Sequence, residues 1–247
     1  MSKKNSKNCL DHLLQIVRTL REKCPWDRKQ TLNSLKNNLI EETYEVVTAI
    51  ENNDQQGIAE EIGDLLFLSL FLSLIFEEKS GVPIHELVLQ TVAKYKEKHP
   101  HVFKEKTFKN SDEIVKFWHS KKKDLFKGIP YALPALIAAR VIQERASKFG
   151  FDWPDEKGPF KKIDEELREL KKSASKRQKV NELGDLLFSC VNLARHLGVD
   201  PEEALRKANK KFVKRFRVIQ KIIIKEQRNL NLEEMDRIWN RIKKSKF

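Results

Sequence analysis

Glu61-Ile-Gly-Asp-Leu-Leu-Phe67 returns further along the chain as Glu182-Leu-Gly-Asp-Leu-Leu-Phe188. The likeness extends in both directions. Upstream, Glu41-Glu42-Thr-Tyr-Glu45 pairs with Glu165-Glu166-Leu-Arg-Glu169. Downstream, Lys94-Tyr-Lys-Glu-Lys98 pairs with Lys211-Phe-Val-Lys-Arg215, and Ile114-Val-Lys-Phe-Trp118 with Met235-Asp-Arg-Ile-Trp239. The order is kept, and only loop lengths drift. A chain written twice in this way reads as two similar domains in tandem, each of ordinary domain size.

Both copies read as helical. In the first Glu cluster, Leu39, Ile40, Tyr44, Val46, Val47 and Ile50 form a broad apolar stripe at helical spacing. No stretch alternates as a strand would. Only 8 of 247 residues are glycine, less than half the usual share of about 7%. That scarcity argues against glycine-rich phosphate loops, dinucleotide-binding folds and turn-dense sandwiches. The expectation is an all-α chain of two helical bundles, residues 1–125 and 126–247. The boundary is expected between Lys121 and Pro134, where a lysine run, Gly128 and two prolines interrupt the pattern. Each copy should carry a Glu-cluster helix, a Gly-Asp-Leu-Leu-Phe helix, a basic helix and a short Trp-bearing helix. Pro83 and Pro201 suit helix first turns. The second copy should open with a helix over Ala135 to Lys148, stopped by Gly150.

The formal charge is +13, from 49 Lys and Arg against 36 Asp and Glu. Such a balance suits a nucleic-acid or anionic-membrane binder, but the basic residues are spread rather than blocked. A nucleotide would feel the same field, and a solvated surface explains most of the lysines. Three cysteines (Cys9, Cys24, Cys190) and no C-x-x-C exclude a disulfide scaffold or a cysteine-rich zinc site, and fit a reducing compartment. No signal-type apolar stretch follows the basic start, and the most apolar run, Leu65 to Phe76, falls short of the roughly 20 residues a spanning helix needs. The expectation is a cytoplasmic protein with no membrane role. The six histidines have no ligand spacing, and His99 and His101 read as structural or capping residues.

Chemistry concentrates in the carboxylates. Glu42 and Glu45 lie three apart, as do Glu61 and Asp64, Glu166 and Glu169, and Glu182 and Asp185, so each pair projects from one helix face. If the two acidic helices of a copy pack antiparallel, four carboxylates converge and repel one another. A divalent cation relieves that repulsion, and an all-oxygen donor set selects Mg²⁺ or Mn²⁺ over zinc. Asp64 and Asp185 each stand directly before an apolar run, a costly place for a charge without a partner. Gly63 and Gly184, just before them, would let another backbone or a substrate come close.

EExxE followed by ExxD, present twice, resembles the MazG family of nucleoside triphosphate pyrophosphohydrolases. Cys24-Pro-Trp-Asp27, His99-Pro-His-Val-Phe103, Gly150-Phe-Asp-Trp153, Leu193-Ala-Arg-His-Leu-Gly198 and Ala208-Asn-Lys-Lys-Phe212 agree in order, so the resemblance covers residues from about 10 to 245. It implies an all-α, Mg²⁺-dependent enzyme, with Mn²⁺ as a substitute, that cleaves a nucleoside triphosphate into monophosphate and pyrophosphate. The implied metal ligands are Glu166, Glu169, Glu182 and Asp185, and in the first copy Glu42, Glu45, Glu61 and Asp64. The implied phosphate-contacting cations are Lys211 and Arg215, with Trp239 near the nucleotide and Asn209 as a further polar contact.

Lys211 and Arg215 lie four apart and could hold adjacent phosphates or form an exposed basic face. Trp239 could stack on a base or close a core. Glu165 is open as a general base or as a support for the metal-binding carboxylates. Hydrolysis would proceed by water attack in line at the α-phosphorus, with no covalent nucleophile. The copies differ: Val92 stands where the second has Asn209, and Lys98 where it has Arg215. In the family it resembles, the second half of such a duplicated layout tends to carry the activity, so catalysis is expected in the second copy, with a weaker or structural first site. The resemblance, together with apolar helix faces left to cover, also implies a homodimer or larger assembly. The alternatives are a house-cleaning hydrolase for a non-standard or deoxy nucleotide and, from another class, a basic helical nucleic-acid-binding protein.

Overall fold

The computed structural model describes residues 3–120, 124–227 and 229–244; the Lys121–Lys123 run lies outside them. The described residues form helices and no strand. The chain separates into two compact units, Met1–Phe108 and Lys109–Phe247. That division falls earlier than the Lys121 to Pro134 segment suggested by composition.

In the first unit, α1 (Lys3–Lys23) packs on the long α3 (Gln55–Ser80), which forms a hairpin with α2 (Lys36–Glu51). The α2–α3 turn is Asn52 to Asp54. It is closed by the Asp54 carboxylate, which accepts from the Gly57 N–H at 3.0 Å. Gly81, at φ 74, stops α3 in the left-handed conformation. The helix α4 (Ile84–Lys98) and the single turn α5 (Pro100–Phe103) follow, with Pro83 as the residue before α4. The core gathers Val17, Leu35, Leu68, Phe71, Leu74, Ile75 and Ile84. The apolar stripe of α2 is only half used, for Ala49 is buried while Leu39, Ile40 and Ile50 stay exposed.

The second unit begins with α6 (Ser111–Ser120), the Trp118 helix that the repeat assigns to the first copy. Then α7 (Ala135–Lys148) ends where expected, with Gly150 at φ 96. The helices α8 (Lys157–Lys172) and α9 (Lys176–His196) form the hairpin matching α2–α3, and α7 packs on α9. A capping box between Ser175 and Gln178 fixes the start of α9. Asp200 caps α10 (Pro201–Glu226) through the Glu203 N–H at 2.9 Å, with Pro201 in the first turn. The last helix, α11 (Leu232–Lys244), packs on α10 around Ile219, Leu230 and Ile242.

The two cores differ in kind. Around α7, α8 and α9 the second unit buries Gln143, Glu166, Ser189 and Asn192 beside Val191, where the first unit buries aliphatic and aromatic side chains. None of the three cysteines is bridged, and among the described residues no helix is long and apolar enough to cross a membrane.

Candidate active site

Two helical hairpins bring the expected acids together. In the second unit, carboxylate oxygens of Glu166, Glu182 and Asp185 lie within 4.8 Å of one another, as do those of Glu165, Glu166 and Glu169. Glu166 and Glu169 come from α8, and Glu182 and Asp185 from α9, so antiparallel packing across the short Ser173–Ser175 turn does the gathering. In the first unit Glu42, Glu45 and Glu61 meet in the same way. Asp64 stands outside that triad, though its charge reaches Glu42 and Glu61.

The crowding shows in the proton affinities. Glu182 is held above the usual carboxylate range, first by desolvation and then by the charges of Glu169, Asp185 and Glu166, with a hydrogen bond to Glu169 adding to it. Glu42 is raised by desolvation and by Glu45, Asp64 and Glu61, and Glu61 by desolvation and by Glu45, Glu60 and Asp64. Glu42 Oε2 is buried with no hydrogen-bond partner. An all-carboxylate donor set with an orphaned buried oxygen fits a hard divalent cation. Asp64 and Asp185 are themselves exposed, which lightens the burial cost expected for them. The close approach expected at Gly63 and Gly184 is not found within the chain: a Cβ at either would meet no atom within 4 Å.

Lys162 was not singled out by its sequence. One turn before Glu166 on α8, its Nζ lies 2.6 Å from Glu166 and 2.7 Å from Glu165. These hydrogen bonds raise the lysine's pKa above its ordinary value, and they hold Glu165 below its own. Glu166 is 4% exposed, so the ammonium is its main compensation within the chain. The EExxE alignment puts Asn38 at the matching place in the first unit. A lysine at i−4 from a buried glutamate is the available signal, but it is faint in so basic a chain.

The remaining candidates form a separate group. Asn209 and Lys211 are exposed on α10, and the Arg215 guanidinium lies over the Trp239 ring at 5.6 Å. Trp239 also meets Phe212 at 5.1 Å and packs on the α10–α11 core, so within the chain it closes that core. No ion pair joins Lys211 or Arg215 to the acids among the described residues. The loop bearing Gly150-Phe-Asp-Trp153 is anchored instead to α9. Arg195 grips Asp152 with both terminal nitrogens, one at 2.8 Å, and His196 Nε2 lies 3.0 Å from Asp152 Oδ1. The Arg195 hydrogen bonds and charge, with help from His196, lower the Asp152 pKa. His99 matches its expected capping role: it ends α4, with Nδ1 2.8 Å from the Tyr95 carbonyl oxygen. The metal-compatible clusters among the described residues contain no histidine.

Comparison with known proteins finds two family models in tandem. Residues 30–103 match the MazG nucleotide pyrophosphohydrolase domain, and residues 135–212 match phosphoribosyl-ATP pyrophosphohydrolase. A Thermotoga maritima protein named nucleoside triphosphate pyrophosphohydrolase/pyrophosphatase MazG is 43% identical, covering 94% of this chain and 95% of its own. The nucleoside triphosphate pyrophosphohydrolase of Escherichia coli K12 is 36% identical, covering 97% of this chain and 99% of its own. A solved structure of a mazG-related protein from Thermotoga maritima is 30% identical over 46% of this chain and 99% of that one, with a TM-score of 0.42.

Proposed function

The chain belongs to the MazG family of nucleoside triphosphate pyrophosphohydrolases, and from that premise we propose that its second domain hydrolyses nucleoside triphosphates to monophosphate and pyrophosphate by Mg²⁺-dependent attack of water at the α-phosphorus. The observation that carries this reading is the convergence of Glu166, Glu169, Glu182 and Asp185 from two antiparallel helices. These four would hold Mg²⁺ or Mn²⁺; the first domain's Glu42, Glu45, Glu61 and Asp64 would hold a cation more weakly, with Asp64 set apart. Bound there, the ion would acidify a water and offset charge on the leaving pyrophosphate.

The chain's own residues supply the rest. Desolvation and the neighbouring charges of Glu169, Asp185 and Glu166 hold Glu182 above the usual carboxylate range, a crowding that a bound cation would relieve. Glu165, with its lowered pKa, suits a residue that steadies Lys162 better than a general base. Lys211 and Arg215, four apart on α10, would take adjacent phosphates, with Asn209 beside them. The Arg215 guanidinium lies over the Trp239 ring. Water attack at the α-phosphorus forms one P–O bond and breaks the bond to the bridging oxygen, which leaves with pyrophosphate.

We also infer a homodimer. Leu183 and Leu187 on α9 and Phe212 on α10 are 48%, 51% and 56% exposed, an apolar surface that a second copy could cover. Light scattering should then give about twice 29.0 kDa, and a monomeric mass would refute it. The unbridged thiols suit a cytoplasmic protein, which cell fractionation would check.

The reaction is tested by phosphorus NMR in ¹⁸O-water with each nucleoside triphosphate, with Mg²⁺ and after chelation. Monophosphate carrying the label, formed only with the cation, is expected. Label in pyrophosphate would move the attack to the β-phosphorus, orthophosphate as first product would move it to the γ-phosphorus, and turnover after chelation would remove the metal.

A further inference from the structure

On the register that lays Glu182 over Glu61, the α9 residues Ser189, Asn192 and Arg195 fall on Leu68, Phe71 and Leu74 of α3. In the first unit those three side chains are 6%, 1% and 5% exposed and fill the core beside Val17 of α1. In the second unit the same face of α9 is polar, and α7 presents Gln143 to it. The filled core is replaced by a cavity of about 690 Å³, walled by the rings of Phe151, Trp153 and Phe188. That volume is in the range of small-molecule sites, about 300–1,000 Å³.

Two observations indicate the occupant. The cavity adjoins the acidic cluster, because Lys162, paired with Glu166, forms part of its wall. Asp185, Ser189 and Asn192 share one face of α9, so the polar lining starts about 6 Å past Asp185 along the helix and continues to about 10 Å. The second observation is Gln143. Its Nε2 donates to the Phe188 carbonyl at 2.8 Å, which fixes the amide orientation, while Oε1 is buried without a hydrogen-bond partner. The residue is 6% exposed. A buried acceptor left unmade is costly and calls for a donor.

We propose that this cavity receives the nucleobase of the triphosphate, with Gln143 Oε1 accepting a hydrogen bond from an N–H on the base edge. The flat aromatic walls suit a planar ring. The distance along α9 leaves a sugar's length between base and acids. The first unit takes no base, because Leu68, Phe71 and Leu74 occupy the matching space. The proposal rests on the pyrophosphohydrolase reading, which supplies the triphosphate end of the ligand.

The full chain tests it by calorimetric titration with AMP, GMP, CMP and UMP. Asn192→Phe places in the cavity the side chain that the first unit uses to fill its own. The best-bound monophosphate should bind at least about tenfold more weakly to this variant, with unchanged helical content by circular dichroism. Wild-type affinity in a folded Asn192→Phe protein, or no monophosphate bound by the wild type, overturns the pocket. If that variant does not fold, Ser189→Leu copies Leu68 and is read in the same way.

The acceptor is tested with base analogues that lack an amino group. ATP is compared with purine riboside triphosphate, GTP with inosine triphosphate, and CTP with 2-pyrimidinone riboside triphosphate. The wild type should discriminate within at least one pair by about tenfold in kcat/KM, and Gln143→Leu should bring that ratio close to one. Equal ratios in both proteins remove Gln143 from recognition. Monophosphate binding needs no turnover, so a protein that binds bases through Asn192 but cleaves no triphosphate would sink the enzymatic reading and leave the pocket standing; the corresponding monophosphate pairs then read out Gln143.

Discussion

Lys162→Met keeps the lysine's apolar stem and deletes the charge that sits 2.6 Å from Glu166 and 2.7 Å from Glu165. The Glu166 side chain is 5% exposed, so water cannot replace the ammonium, whereas Lys162 is 36% exposed and its side of the pair is screened. Removing one partner from a fully buried pair costs about 3–5 kcal/mol, and exposed pairs are worth about 0–1 kcal/mol. A pair buried at one end belongs between them, at about 2 kcal/mol. In a chain of this size that lowers the thermal midpoint by roughly 4–8 °C. Mg²⁺ should act in the opposite direction. With the ammonium gone nothing competes for Glu166, and each tenfold gain in metal affinity adds about 1.4 kcal/mol under saturating metal. Scanning calorimetry of both proteins, chelated and with Mg²⁺, reads both effects. Equal midpoints without metal, or a Mg²⁺-induced rise no larger in the variant than in the wild type, would refute the role given to Lys162.

Glu182→Ala should lower turnover by at least about a hundredfold, the loss expected when a metal site is broken, while Glu61→Ala keeps most of it; steady-state assays showing the reverse would assign catalysis to the first domain. The Asp152 pKa is lowered in the folded state, so its contribution is complete above the ordinary carboxylate value of about 4 and is lost as pH falls through the lower folded value. Asp152→Asn should cost about 1–2 kcal/mol at neutral pH and remove that part of the acid destabilisation; urea midpoints falling in parallel for both proteins between pH 7 and pH 3 would contradict the tether. Gly158 lies under the Trp153 ring, and a Cβ there would sit 2.3 Å from Trp153 Cγ and Cδ1. Gly158→Ala must displace the indole at a cost of about 1–3 kcal/mol, and an unaltered urea midpoint would show that the ring has room.

Much of this site was legible because helices convert spacing into direction. Acids three apart on Glu166/Glu169 and Glu182/Asp185, joined by a short turn, leave one way for an antiparallel hairpin to present them. The Gly150 stop and the Pro201 first turn were readable for the same local reason, each being a backbone requirement met by one residue type. Properties that depend on a neighbouring helix were not readable. Lys162 looks like any of the 49 basic residues until α8 turns it against Glu166. Gln143 reads as a surface residue in an amphipathic helix, because only α9 packing beside it shows that the amide is enclosed. Trp239 left two roles open, and the contact with Arg215 shows that stacking on a cation accompanies closing the core. Gly63 and Gly184 invited a close neighbour that the chain itself does not supply.

On the proposed reading, the two copies separate what would hold a cation from what would hold the rest of a substrate. Both keep a set of acids on matched hairpins, so the cluster does not depend on the layer behind it. That layer has diverged: Leu68, Phe71 and Leu74 fill it in the first copy, while Ser189, Asn192 and Arg195 line a void in the second. Apolar filling stabilises a domain, and buried polar groups around an open space do the opposite unless something binds them. A purely structural role for the second copy would favour the filled version, which the same chain demonstrates to be compatible with the acids. On the proposed reading, the open polar layer is therefore where the second copy would hold the rest of its substrate, one to two helical turns past Asp185.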